Sequence, residues 1–260
     1  MPQQLLELSG IEVAYDGFIA VENVDLSVPA GSVVGLIGPN GAGKTSLLDA
    51  ITGRTRLSAG QVRLADADLA GRSVRQIERA GIARTMQATV LSDALTIDEN
   101  LVWDGTPAGS ISSFHSFLRR RRSVGREPVE WARSLVGLDA CADVKPADLT
   151  RLQRALVGVA RALTSAPRVL LLDEPAAGLE PDESVAFGRT IASLARRGLG
   201  VLLIDHDTDL VFGTCDEVCV LDRGRVIARG SPADVRRDPA VIDVYLGPRG
   251  RAALERPAMR

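Results

Sequence analysis

The sequence predicts an α/β fold, a largely parallel sheet covered by helices on both faces, with a helical insertion. Three observations predict it. Short apolar runs alternate with segments of helical periodicity along most of the chain. Several runs, such as Val169 to Leu172 and Val201 to Ile204, are apolar throughout, as strands buried on both faces are. A third run, Ser32 to Ile37, leads into a glycine-rich turn that opens a helix.

Taken in order, Leu5 to Tyr15 and Val21 to Val28 read as β segments around a turn at Asp16-Gly17. Ser32 to Ile37 is a buried strand ending in glycine. Lys44 to Thr52 reads as a helix with Leu47, Leu48 and Ile51 on one face. Gln61 to Leu64 is a short strand, Val74 to Ala80 a helix stopped by Gly81, and Ile82 to Met86 a strand. From about Thr96 to Thr150 the β-rich runs disappear and the chain reads as helices with polar joints. Leu152, Leu156, Val159 and Leu163 then keep helical spacing. Pro181 occupies a favoured first-turn position, and Asp182 and Glu183 complement the helix dipole there. Val218 to Leu221 and Val226 to Ala228 flank Asp222-Arg223-Gly224 as a hairpin. A last helix runs to about Leu246, and residues 247–260 read as a mobile Pro/Gly/Arg-rich tail.

Composition bounds the function. The chain has 260 residues, 45% hydrophobic and 25% charged, with a formal net charge of −2, which predicts an ordinary globular domain with an inserted subdomain. No apolar run approaches the ~18–20 residues that span a bilayer. Met1 to Ser9 lacks the pattern of a signal peptide. Cys141, Cys215 and Cys219 form no CxxC pair, so neither a zinc site nor a disulfide framework is expected, and a reducing cytoplasm fits. The near-neutral charge argues against nucleic acid as a partner. Only two of the 31 basic residues are lysine, Lys44 and Lys145, which marks both positions as candidates for needing an ammonium.

Gly38-Pro39-Asn40-Gly41-Ala42-Gly43-Lys44-Thr45, followed by Ser46, matches G-x-x-x-x-G-K-[ST] between a strand and a helix. From this chain's own Gly and Lys frequencies a chance match is expected on the order of 10⁻³ times. The glycines let backbone N–H groups surround phosphate oxygens, and the helix N-terminus adds positive potential. Lys44 is a compact charge for the β- and γ-phosphates, and the Thr45 hydroxyl suits Mg²⁺.

Leu170-Leu171-Leu172-Asp173-Glu174-Pro175 is an apolar strand ending in two carboxylates. Alone, Asp-Glu-Pro is a turn signal. Beside a phosphate loop, alternation along the strand would put the carboxylates on opposite sides of its tip. One then holds Mg²⁺ through water while the other polarises the nucleophile. Leu203-Ile204-Asp205-His206-Asp207 is a second strand end, placing a histidine where a third loop would approach the γ-phosphate. His115 has no such setting.

The order of Tyr15, the 38–45 loop, Gln87, a helical stretch, the 170–175 run and His206 resembles an ABC-type ATPase subunit over about residues 5–246. The resemblance implies a P-loop NTPase core with an antiparallel β subdomain and a helical subdomain inserted at about 96–150. It further implies that Tyr15 stacks on adenine and that Gln87 links Mg²⁺ and the attacking water to a transmembrane partner. Asp173 is then the Mg²⁺-associated carboxylate, Glu174 the general base and His206 the switch histidine, with Gly178 to Asp182 crossing a dimer interface. The runs Ile204 to Val211, Ala176 to Pro181 and Asp238 to Gly247 resemble importers of branched-chain amino acids and their urea/amide relatives. That implies ATP and Mg²⁺ as cofactors, the cytoplasmic membrane face as location, two permease subunits, an extracytoplasmic binding protein and a second ATPase subunit as partners.

One stretch departs from the family. Its signature loop, of Leu-Ser-x-Gly-Gln type, should stand where this chain has Leu149-Thr150-Arg151-Leu152-Gln153. Leu152 replaces the glycine that lets a helix start approach the γ-phosphate held by the other subunit. A degenerate signature and an asymmetric heterodimer are therefore expected. Leu91, Leu95 and Ile97 read either as a groove for a partner helix or as core, and Arg119 to Arg122 as a solvated face or a lipid or permease contact. The rival readings are a soluble ABC ATPase such as a cluster-assembly factor and a non-hydrolysing regulatory subunit. The intact Glu174 and His206 oppose the second.

Overall fold

Two sheets, meeting through a shared apolar layer, organise the chain in a computed structural model that describes residues 4–85, 90–103 and 124–245. In the first sheet β1 (Gln4–Tyr15) and β2 (Phe18–Pro29) form a long antiparallel hairpin. Asp16 and Gly17 supply the two positive φ angles, 47° and 87°, that a tight hairpin turn of the favoured twist needs. β4 (Ala59–Leu64) and β5 (Ala67–Asp68) complete the strand order β2-β1-β4-β5.

The second sheet holds six strands in the order β10-β9-β3-β8-β7-β6. These are β3 (Val33–Ile37), β6 (Ile82–Arg84), β7 (Val169–Asp173), β8 (Gly200–Ile204), β9 (Glu217–Asp222) and β10 (Arg225–Gly230). All pair in parallel except β10, which returns antiparallel to β9. Every residue of β3, β7 and β8 is buried, which is why their sequences are apolar on both faces.

Strand alternation sorts the core into two layers. Val34, Leu36, Val169, Leu171, Leu202 and Ile204 face the antiparallel sheet with α1 (Lys44–Ile51) and α2 (Val74–Ala80). Val33, Ile37, Leu170, Leu172, Val201 and Leu203 face the remaining helices. Those are α3 (Ile97–Val102), α4 (Arg126–Leu135), α5 (Arg151–Leu163), α6 (Pro181–Ala195), α7 (Thr208–Thr214) and α8 (Pro232–Val235). Between 96 and 150 the described residues form α3, α4 and single 3₁₀ turns at Asp139–Cys141 and Pro146–Asp148, with no strand. None of the described helices is long and apolar enough to cross a membrane.

One expectation changes and two are refined. The strand read as Ile82 to Met86 ends at Arg84, and Met86 lies outside the described residues. The last helix is two pieces, α8 and a stretch at 239–245, because Pro239 disfavours helical backbone at Asp238 and then starts a new first turn. Asp238 accepts from the Ala240 N–H at 2.8 Å and so caps it. Ile97 is fully buried in the main core, so it lines no groove, while Leu91 and Leu95 are partly buried against the same core. Leu246, the 247–260 tail, His115 and the Arg119–Arg122 run lie outside the described residues.

Candidate active site

The parallel strands deliver their carboxyl ends to one edge, so residues far apart in sequence meet there. β3 ends at the 38–45 loop, its neighbour β8 ends just before His206, and β7 ends at Asp173. β6 brings Arg84 to the same edge.

The phosphate loop is wedged between backbones. A Cβ at Gly38 (φ 155°) would lie 2.0 Å from the Leu221 carbonyl oxygen, and one at Gly43 (φ 104°) 2.4 Å from that of Ala20. Only glycine fits at either position. The turn between β9 and β10 supports the loop from outside, where the Gly224 N–H donates to the Ala42 carbonyl at 2.9 Å. Tyr245, at the end of 239–245, meets the Gly38 backbone.

α1 starts unlike its neighbours. Among the described helices it alone has neither a side-chain cap nor an acidic residue in its first turn. The N–H groups of Lys44, Thr45 and Ser46 have no acceptor within the helix, and Asn40, Gly41 and Thr45 are exposed. That is a site fitted to an anion. The Lys44 ammonium folds back onto the Gly38 and Pro39 carbonyls at 2.7 and 3.1 Å. Its burial holds its pKa below the ordinary lysine value, against the opposing pull of Glu174 and Asp173.

The two acidic residues meet different partners. Asp173 is buried and accepts from Arg84 Nη2 at 2.7 Å. Glu174 lies outside the strand in left-handed backbone (φ 47°), an unfavourable conformation for a residue with a Cβ. Its direction therefore comes from this turn and not from strand alternation. Its Oε2 lies 4.0 Å from His206 Nδ1. The His206 side chain is 66% exposed, with Asp205 Oδ1 at 3.6 Å. Asp205 is buried and accepts from the Asp207 and Ala176 N–H groups, which pins the histidine loop to the segment after Glu174. Burial raises the Asp205 pKa while those two hydrogen bonds lower it.

Tyr15 stands at the tip of the first hairpin, 42% exposed, its phenol 3.2 Å from Thr55 Oγ1. Lys145 does not join the site, and its ammonium holds the Ala94 carbonyl at 2.7 Å. Gln87 lies outside the described residues.

The 149–153 stretch lies apart from these groups at the start of α5. Leu149 is buried, and Thr150 and Gln153 form a reciprocal capping box. Arg151 donates to the Gly178 carbonyl at 3.0 Å and lies 3.6 Å from Glu180. The Leu152 N–H donates to Glu183 Oε1 at 3.4 Å, and its side chain packs partly buried against the main core. The Arg84 and Glu183 contacts have no sequence motif. Their only signal is a charged residue beside an apolar strand end or in a helix first turn.

Comparison with known proteins gives the same picture. Residues 21–177 match the ABC transporter family, and residues 225–247 match a family described as branched-chain amino acid ATP-binding cassette transporter. The chain is 35% identical to the high-affinity branched-chain amino acid transport ATP-binding protein LivG of Escherichia coli K12, over 95% of this chain and 99% of LivG. It is 34% identical to BraF of Pseudomonas aeruginosa over the same shares, and 32% identical to the lipopolysaccharide export ATP-binding protein LptB of Acidithiobacillus ferridurans, over 94% and 97%. The ADP conformation of MJ1267, an ATP-binding cassette of an ABC transporter, superposes with a TM-score of 0.82 at 29% identity, covering 94% of this chain and 99% of that one. With a phosphate loop, an acidic strand end and a histidine loop on one sheet edge, and with this likeness running nearly end to end, the chain belongs to the ABC transporter family as one of its ATPases.

Proposed function

We propose that this chain drives an importer of branched-chain amino acids or related small amides from the cytoplasmic face of the membrane. The observation that carries the reading is the second family match at 225–247, separate from the first match at 21–177, where the family is described by that substrate class. Two permease subunits and an extracytoplasmic binding protein complete the system, and ATP closure of the ATPase pair changes the permeases' access.

In this reading Tyr15 stacks on adenine, and Gly38, Pro39, Asn40, Gly41, Ala42, Gly43, Lys44, Thr45 and Ser46 hold the phosphates. Mg²⁺ would be held by Thr45, Asp173 and Gln87 and would neutralise charge on the β- and γ-phosphates. Glu174 takes the proton of the attacking water as its oxygen bonds to the γ-phosphorus and the bond to ADP breaks. His206, beside Glu174, orients the γ-phosphate.

The Leu149–Gln153 stretch serves the partner subunit's ATP poorly in this reading. The bulk of Leu152 and the Glu183 carboxylate at its N–H both oppose a γ-phosphate there. The working pair is then a heterodimer, with its better site built from this chain's Lys44, Glu174 and His206 and an intact signature on the partner.

A deletion strain complemented with wild type or Lys44→Ala tests the substrate. Uptake of labelled leucine, isoleucine or valine should return only with wild type. Normal uptake in the deletion strain, with a defect in lipopolysaccharide export, would move the reading to the transport class named for LptB. Glu174→Gln protein with Mg·ATP tests the pairing by light scattering. A monomer that binds ATP supports the heterodimer, and a stable homodimer refutes it.

A further inference from the structure

The Arg84 side chain forms a strut across the site. Its Nη1 lies 2.6 Å from Asp49 Oδ1 on α1, and its Nη2 lies 2.7 Å from Asp173 Oδ2 at the tip of β7. The arginine is buried to about 10% side-chain exposure, Asp173 to 8% and Asp49 to 28%. The contacts span 35 and 89 residues of sequence.

Position gives the strut its meaning. Asp49 follows Thr45 by four residues on α1, so the two share a helix face one turn apart. One arm of Arg84 thus holds the wall that carries Thr45, and the other holds the carboxylate on the opposite wall. Thr85 adds a backbone tie, since its N–H donates to the Leu171 carbonyl at 2.9 Å and its hydroxyl accepts from the Asp173 N–H at 3.3 Å. A planar guanidinium can grip two carboxylates at once, and an ammonium serves as a single point. Charge is conserved as well. Two carboxylates and one guanidinium sum to −1, the charge Asp173 would carry alone, so Asp49 lets Arg84 hold Asp173 without cancelling it.

We propose that Arg84 is a positioning residue that, with Asp49, sets the gap between the Thr45 and Asp173 walls and so tunes the affinity of the bound nucleotide for Mg²⁺. The inference rests on the nucleotide-site reading above. It assigns a role to two residues outside the set read above as holding the nucleotide and Mg²⁺.

The test is a Mg²⁺ titration of fluorescent ADP binding to the purified full chain, with Mg²⁺-free binding as the control. Asp49→Ala cuts one arm and leaves a good helix former on α1. It should raise the half-saturating Mg²⁺ about tenfold while Mg²⁺-free affinity stays within about threefold. Arg84→Lys, which keeps the charge and loses the two-handed grip, should move the same way. A Mg²⁺ requirement within about twofold of wild type in both variants would overturn the inference, as would an equal fall in Mg²⁺-free and Mg²⁺-dependent binding. A wild-type chain that binds no nucleotide would instead overturn the site reading beneath it.

Discussion

The N-termini of α1 and α5 are the same kind of structure put to opposite uses. Each opens a helix and so presents N–H groups that the helix itself leaves without acceptors. At α1 the preceding residue is Gly43, no side chain caps the helix, and no carboxylate enters its first turn. At α5 the chain fills the site itself, with Thr150 on the Gln153 N–H, Glu183 on the Leu152 N–H, and Arg151 bound to the Gly178 carbonyl. A helix start becomes an anion site only where side chains are kept away from it. At α1 the sequence device that does this is Gly43 at the position before the helix, where α5 has the capping Thr150.

Breaking the open end should have the largest effect. Lys44→Ala is expected to weaken ATP binding at least about 100-fold, since it removes a charge-assisted contact in a half-buried site. Fluorescent-nucleotide titration checks it, and binding within about tenfold of wild type would remove Lys44 from the phosphate site. Next comes the chemistry beside it. Glu174→Gln should cut hydrolysis by about 10²–10³-fold and leave ATP binding intact, as loss of a general base does. Parallel loss of binding and turnover would mean that the left-handed turn at Glu174, and not its proton transfer, was what the substitution disturbed.

Opening the closed end should give a smaller, opposite effect. Leu152→Gly is expected to raise ATPase activity several-fold, about 1 kcal/mol in the barrier, when the partner subunit is present. Glu183→Gln should add to the gain by removing the carboxylate from the Leu152 N–H. Unchanged turnover in the assembled pair would mean the contrast between the two helix starts has no catalytic consequence. Smallest is the cap itself. Thr150→Ala should cost about 1 kcal/mol of stability, roughly 2–4 °C in Tm, and leave nucleotide affinity of the isolated chain unchanged.

The candidate site was legible in the sequence to the extent that its chemistry is written in consecutive residues. The 38–45 loop, the strand end at Asp173-Glu174 and the histidine after β8 were each readable from a strand, a turn and a reactive side chain in a row. Each lies where that reading put it, on one sheet edge. The direction of Glu174 was not readable, because alternation fails once the backbone turns left-handed. Nor was the break before 239–245, although Pro239 carried its signal.

By itself, then, the sequence determined what is local in origin: which runs are strands buried on both faces, where helices start, and which loop has the form of a phosphate cradle. Those follow from side-chain period, backbone preference and a motif with few chance matches. Only the tertiary structure decided which charges pair. Asp49, Arg84 and Asp173 are one cluster, Glu183 reaches the start of α5, and the Gly224 N–H supports the phosphate loop. With 31 basic and 33 acidic residues in the chain, residue type leaves most pairings open. A pair forms where strand order and helix packing bring two charges within about 3 Å and exclude water, and that juxtaposition is a property of the assembled sheet.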